Sequence, residues 1–185
     1  MSATQQRRPR KKATEATLGR PVQVSGFYRL MLHDVRNGQK VYTPWRKNVI
    51  TADGFQSYIV QSIGSGLTGK TVSHMQLASQ TAAPVSSQTS ASGEFEARKA
   101  VSNSFVANGT LRATASWNTN EATQSAVGAV ALYNTSSAGT AGSIATFTAS
   151  TKTTDQTLNV TYEWRFSAIL LPLLYALHSL GNLFV

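Results

Sequence analysis

Residues 158–166 read LNVTYEWRF, and this short run decides the fold class. Leu158, Val160, Tyr162, Trp164 and Phe166 occupy every second position, with Asn159, Thr161, Glu163 and Arg165 between them. Side chains alternate across a strand with a period of two, so the apolar set shares one face and the polar set the other. Such a stretch is a strand of an antiparallel sheet with one face packed and one face in water. A helix would scatter the same apolar residues around its axis.

The same alternation recurs upstream. In 110–117, Leu111, Ala113, Ala115 and Trp117 oppose Thr110, Arg112, Thr114 and Ser116. Asn108-Gly109 before it signals a hairpin from the extended stretch 94–106. Residues 22–36 place Phe27, Arg29, Met31 and His33 on one face and Tyr28, Leu30, Leu32 and Asp34 on the other. Asn37-Gly38 predicts a type I′ turn into a partner strand over 40–45, where Pro44 marks an end or an edge. Further strands are expected at 72–78, 127–133 (an apolar run suited to burial) and 144–149. The polar stretch 79–93 reads as an exposed loop.

One segment has a different period. Phe55, Tyr58, Ile59, Ser62 and Ile63 recur at i, i+3, i+4, i+7 and i+8, the pattern of one helix face. Thr51 or Asp53 would cap this helix, roughly 52–63, and Gly64 and Gly66 would end it. About eight strands and one short helix predict an all-β chain, an antiparallel β-sandwich over residues 22–167. The dominance of Ser, Thr, Ala and Gly predicts flat surfaces in close approach. Trp45 and Trp117 are expected in the core.

Two unlike ends flank the sandwich. Residues 1–21 form a basic arm: Arg7, Arg8, Arg10, Lys11, Lys12 and Arg20 stand against Glu15 alone. Leu18 is its one large apolar residue after the initiating Met, too little to order it without help. It is either a solubilising tail or an arm that orders against phosphate or an acidic protein groove. The formal charge of the chain is +9, and more than half of the excess sits in this arm. The modest charge of the body assigns nucleic-acid contact to the arm rather than to the sandwich. Residues 168–185, AILLPLLYALHSLGNLFV, are apolar. A membrane span needs about 20 such residues. This run falls short, holds Pro172 near its start and has no Lys or Arg after it, so it is expected to pack on a neighbouring subunit or on its own sheet. The interface residues would be Leu170, Leu171, Leu174, Leu177 and Phe184.

The chemistry-bearing residues do not assemble into a reaction centre. Without cysteine the chain has no disulfide, thiolate metal site or Cys nucleophile. This fits synthesis in a reducing cytoplasm, and no apolar core of a signal peptide follows the N-terminal charges. His33, His74 and His178 lack spaced partners of metal-ligand type. Glu94 and Glu96 share a strand face with Arg98, which predicts an ion cluster rather than a carboxylate pair. Gly64-x4-Gly69-Lys70-Thr71 has phosphate-loop spacing, but it follows a helix pattern and precedes a strand, the reverse of what that loop requires. No enzyme activity, cofactor or metal is expected.

The stretch from about 47 to 167 resembles a recurring pattern in tailed-bacteriophage virion proteins of the tail, neck and fibre type. The residues that carry it are Lys47-Asn48-Val49-Ile50 with Asp53-Gly54, then LASQTAAP at 77–84 and Glu94-Phe-Glu-Ala-Arg98. GAVALYN at 128–134, Lys152-Thr-Thr-Asp155 and the closing LNVTYEWRF at 158–166 complete it. The basic arm and the apolar tail depart from the pattern. The resemblance implies a structural role without catalysis.

Two functions are therefore expected. The first is a bacteriophage virion structural protein, an appendage, neck, tail or capsid-decorating subunit. It would be made in the host cytoplasm and would act as a homo-oligomer among other virion proteins. The alternative is an icosahedral coat protein whose Arg7, Arg8, Arg10, Lys11 and Lys12 bind the packaged genome through its phosphates. A carbohydrate-binding module, with exposed Trp side chains as platforms, is a third option.

Overall fold

The computed structural model describes residues 22–63, 68–106, 109–123 and 126–168. Its strands are β1 (Val22–Asp34), β2 (Lys40–Tyr42), β3 (Arg46–Ile50), β4 (His74–Ala78) and β5 (Glu94–Ala100). They continue as β6 (Ser102–Val106), β7 (Thr110–Trp117), β8 (Ala126–Tyr133), β9 (Ser143–Thr151) and β10 (Gln156–Ala168). The sheet order is β5-β4-β8-β9-β3-β1-β10-β7-β6, with β2 on the side of β1. The two ends of that order, β5 and β6, are consecutive in the chain, separated by Val101. The architecture is an antiparallel β-sandwich, nearly closed on itself.

One layer holds β6, β7, β10, β1 and β2, and the other holds β5, β4, β8 and β9. β3 belongs to both. Its first half pairs with β1 (Arg46 with Tyr28, Asn48 with Gly26), and its second half pairs with β9 (Val49 with Ile144, Ile50 with Ser143). The two strands beyond the eight expected are thus both corner pieces. β3 turns one corner, and the extended run 94–106 divides at Val101 into β5 and β6 to turn the other.

Strand β10 pairs with β7 from Leu158–Trp117 to Arg165–Thr110 without interruption. Both apolar faces point inward, where Trp117, Val160 and Tyr162 are at most 1 % exposed. They meet Met75, Leu77, Val130 and Leu132 of the opposite layer. Full burial of one such side chain contributes about 1.5–3 kcal/mol. Strand β8 is buried on both faces, as its apolar run predicts. Its outer set, Ala129, Ala131 and Tyr133, packs with Ala91 and Ala141. Small residues are needed there because the loop after β4 lies against the strand: a Cβ on Gly128 would come 2.7 Å from the Gln80 carbonyl oxygen. That loop, polar as expected, is tied down by Gln80, whose Oε1 accepts from Gln88 Nε2 (2.6 Å) and from Ser92 N (2.8 Å).

Three local expectations need correction. The first is the turn between β1 and β2. It is not type I′, since Gly38 has φ +71° but Asn37 is not among the residues of positive φ. The loop closes instead through Gly38 N donating to Asp34 O and Asn37 Oδ1 accepting from Gln39 N. Second, the helix α1 is a π-helical stretch, Gly54–Val60, followed by one α-helical turn, Gln61–Ile63. π-winding brings residues four and five apart onto one side, so Gly54, Tyr58 and Ile59 are buried. Phe55 and Ile63, expected on the packed face, are 53 % and 80 % exposed. Thr51, not Asp53, provides the cap: its Oγ1 accepts from Gly54 N at 2.9 Å. Third, Glu96 has φ +64° and sits where the β4–β5 register shifts, a bulge. It is diverted from Glu94 and accepts from Ala122 N.

Candidate interaction face and interlayer cleft

Registry assigns the outward side chains of the β1 layer. Phe27 is opposite Lys47, Met31 opposite Tyr42, and His33 opposite Lys40. On the far side Glu163 is opposite Arg112 and Arg165 opposite Thr110. Cross-strand partners project to the same face. Phe27, Arg29, Lys40, Tyr42, Lys47, Arg112, Glu163 and Arg165 therefore share the outer surface of one sheet.

These residues form a ladder. The Arg165 guanidinium lies 4.2 Å from the Phe27 ring centroid and 5.2 Å from that of Trp45. On the same ring system Arg29 lies 4.9 Å from Trp45, and it reaches Tyr42 at 5.1 Å. All four distances fall within cation–π range. Trp45 is thus an outer-face residue rather than a core one, whereas Trp117 is buried as expected. Glu163, 3 % exposed, anchors the other end. Its Oε1 accepts from Arg112 Nε at 2.8 Å and Nη2 at 2.6 Å, and its Oε2 accepts from Arg165 Nε at 2.8 Å.

The rest of the charge on the body is mostly paired. Arg36 bridges Asp34 and Asp155, Lys70 binds Asp53, Arg98 binds Glu94, and Lys99 binds Glu121. Arg98 also stacks on Tyr133, 3.4 Å from the ring centroid. Partial burial works to raise the Asp53 carboxyl, but hydrogen bonds from Lys70, Ser57 and Thr140 outweigh it and hold the carboxyl below its ordinary value. Burial pushes the Tyr58 hydroxyl up to about 12. That hydroxyl donates to Thr140 O at 2.8 Å and ties α1 to the segment before β9. Lys70, the lysine of the phosphate-loop spacing, is committed to Asp53 and Thr140 at 2.8 Å each.

Three basic side chains of the outer face stand apart. Among the described residues, Arg29, Lys40 and Lys47 have neither an ion-pair partner nor a side-chain hydrogen bond. Of two further cations, Lys152 is buried, whereas Arg46 is exposed at the rim of a cleft and likewise has no ion-pair partner among the described residues. Lys152, 1 % exposed, donates to the carbonyls of Thr119, Thr153 and Gln156, and desolvation holds its ammonium below the usual lysine range. Arg46 borders a cleft of about 360 Å³ between β1, β2 and β9, whose walls are mainly apolar and include Leu30, Leu32, Val41, Phe147 and Leu158.

Arg7, Arg8, Arg10, Lys11 and Lys12 of the arm lie outside the described residues, as do Leu170, Leu171, Leu174, Leu177 and Phe184 of the apolar segment. His33 sits on the outer face, and His74 Nδ1 is 2.8 Å from Ser73 Oγ. Among the described residues no cluster of His, Asp and Glu is arranged to hold a metal. None of their helices is long and apolar enough to cross a membrane. The cation–aromatic ladder was missed in the sequence because its members come from five separate strands and a loop. The one local signal was the Phe27, Arg29 alternation on the face opposite Tyr28. No family model matches this chain, and neither does any curated protein or solved structure.

Proposed function

We propose that this protein is a structural subunit of a bacteriophage particle, an appendage, neck, tail or capsid-decorating component that works by assembling with copies of itself. The observation that carries this reading is the placement of large apolar side chains on the outside of a well-packed sandwich. Phe105 on β6 is 91 % exposed, and Val22 and Val85 are 68 % and 60 % exposed. Val24, Ile50 and Phe55 line an open groove between β1, β3 and α1. Large apolar side chains left on the outside, and an open groove with apolar residues in its lining, mark a protein contact. The phage resemblance of residues 47–167 names the kind of assembly.

The test is the state of the full-length protein in solution, read by light scattering and electron microscopy. A defined oligomer, ring or shell supports the proposal, and a monomer at all concentrations refutes it. Removing residues 168–185 is expected to abolish assembly while the far-ultraviolet strand signal persists.

A second reading is an icosahedral coat protein that packages its genome through the basic arm. Arg29, Lys40 and Lys47, without ion-pair partners among the described residues and on one face, favour it by adding positive charge outside the arm. Polyanion affinity that falls steeply with salt, and that is lost when Arg7, Arg8, Arg10, Lys11 and Lys12 become Gln, would support this reading.

A further inference from the structure

We propose that the outer face of the β1 layer is itself a binding surface for single-stranded nucleic acid, centred on Arg29 and independent of the basic arm. The inference stands whether or not the particle reading holds.

The argument starts from Arg29. Its guanidinium is held between two rings, Trp45 at 4.9 Å and Tyr42 at 5.1 Å, and finds no acceptor among the described residues. Contact with two ring faces restricts a guanidinium without using any of its five N–H donors. A donor fork held in place and left unsatisfied by the protein is suited to an external oxyanion, and phosphate oxygens match its geometry. Ordering the side chain beforehand removes part of the entropy that binding would otherwise cost.

Charge complementarity supplies the class of partner. Elsewhere on the body Arg36, Lys70, Arg98 and Lys99 have carboxylate partners, and on this face Glu163 answers Arg112 and Arg165. Lys47 stands opposite Phe27 at one end of the ladder, and Lys40 lies two residues before Tyr42 at the other. Arg29, Lys40 and Lys47, without ion-pair partners among the described residues, therefore run along one line of the sheet with aromatic rings between them, while Arg46, exposed and likewise without one, lies on the cleft side opposite Tyr28. An acidic peptide would use the charges alone. A single strand also uses the rings, because bases stack on exposed aromatic side chains such as Tyr42, which is 52 % exposed. These contacts follow the backbone and carry no sequence preference.

The experiment uses the full chain with Arg7, Arg8, Arg10, Lys11 and Lys12 changed to Gln, which removes the arm's charge but not the face. Fluorescence anisotropy of a labelled oligothymidylate at low salt is expected to report binding. Adding Arg29→Gln and Lys47→Gln should weaken it and flatten the plot of log affinity against log salt by about 0.7 per lost contact, about 1.4 for the pair. Arg29→Lys should keep the slope yet lose affinity, since the charge remains and the stacked fork does not. Lys40→Gln with Lys47→Gln, two exposed side chains without partners among the described residues, serves as the variant that leaves packing untouched. Melting temperatures measured alongside separate lost binding from lost folding. Absence of binding by the arm-neutral chain, or unchanged affinity in folded face variants, overturns the proposal. Competition by polyglutamate as effective as by the oligonucleotide also overturns it and assigns the face to an acidic protein.

Discussion

Gly54→Ala tests how α1 is seated, because two physical effects predict opposite signs. In a helix, replacing Gly by Ala without a clash stabilises by about 0.4–1 kcal/mol, since the unfolded chain loses freedom. Gly54 has no such room: an added Cβ would stand 1.8 Å from the Gly142 carbonyl oxygen and 2.6 Å from its carbon, where ordinary contact begins at 3.4 Å. Either α1 or the segment before β9 must retreat by the difference, about 1.6 Å. That movement stretches the contacts joining the two: Thr51 N to Gly142 O at 3.3 Å, Thr51 Oγ1 to Ala141 O, and Tyr58 OH to Thr140 O at 2.8 Å. At about 1 kcal/mol for each net hydrogen bond, with about 1–3 kcal/mol of overpacking strain and less the gain of up to about 1 kcal/mol from the stiffer unfolded chain, the expected loss is about 3–5 kcal/mol. Gly38→Ala is the control, with nothing within 4 Å and a φ of +71°. It should cost about 1–2 kcal/mol through backbone strain alone. Urea unfolding followed by tryptophan fluorescence measures both. Gly54→Ala at or above wild-type stability would show that α1 does not sit against Gly142, and the reasoning would fail.

Two further outcomes follow from the paired charges. Glu163→Gln removes the negative charge and one of the two acceptor oxygens that Arg112 and Arg165 use, but both arginines are more than a third exposed and can rehydrate. The expected destabilisation is therefore about 1–2 kcal/mol in urea unfolding, below the 3–5 kcal/mol of a fully buried pair, and a loss above that range would mean the arginines are not solvated. Asp53 and Glu121 both titrate below their ordinary values in the folded protein, Glu121 through hydrogen bonds from Lys99 and Asn118. Depressed carboxyl groups stabilise the fold above their unfolded pKa of about 4 and lose that contribution as pH falls through the folded values. The melting temperature should drop between pH 5 and pH 3, and an undiminished drop in the Asp53→Asn, Glu121→Gln double variant would exclude these two groups as its source.

The period-two runs of β1, β7 and β10 and the apolar run of β8 were legible from residues alone, because strand alternation is a local property that burial of one face enforces. They determine the all-β class, the inward set led by Trp117, Val160 and Tyr162, and the outward set that includes Arg29 and Glu163. β3 was not legible. RKNVI at 46–50 has no alternation, and its strand character comes from pairing with β1 on one side and β9 on the other. The π-winding of α1 likewise depends on a neighbour distant in sequence: Gly54 meets Gly142, and Tyr58 must reach Thr140. The bulge at Glu96 and the pairing of the body's charges are long-range facts of the same kind. Net charge, read as a sum, describes the body as modestly basic. Only the tertiary structure decides that most carboxylates of the described residues are spent on particular cations, and that Arg29, Lys40 and Lys47 come together on one face while Arg46 borders the cleft. The physical reason is that alternation and propensity act between chain neighbours, whereas corners, close approaches and charge pairing are set by which strands lie side by side.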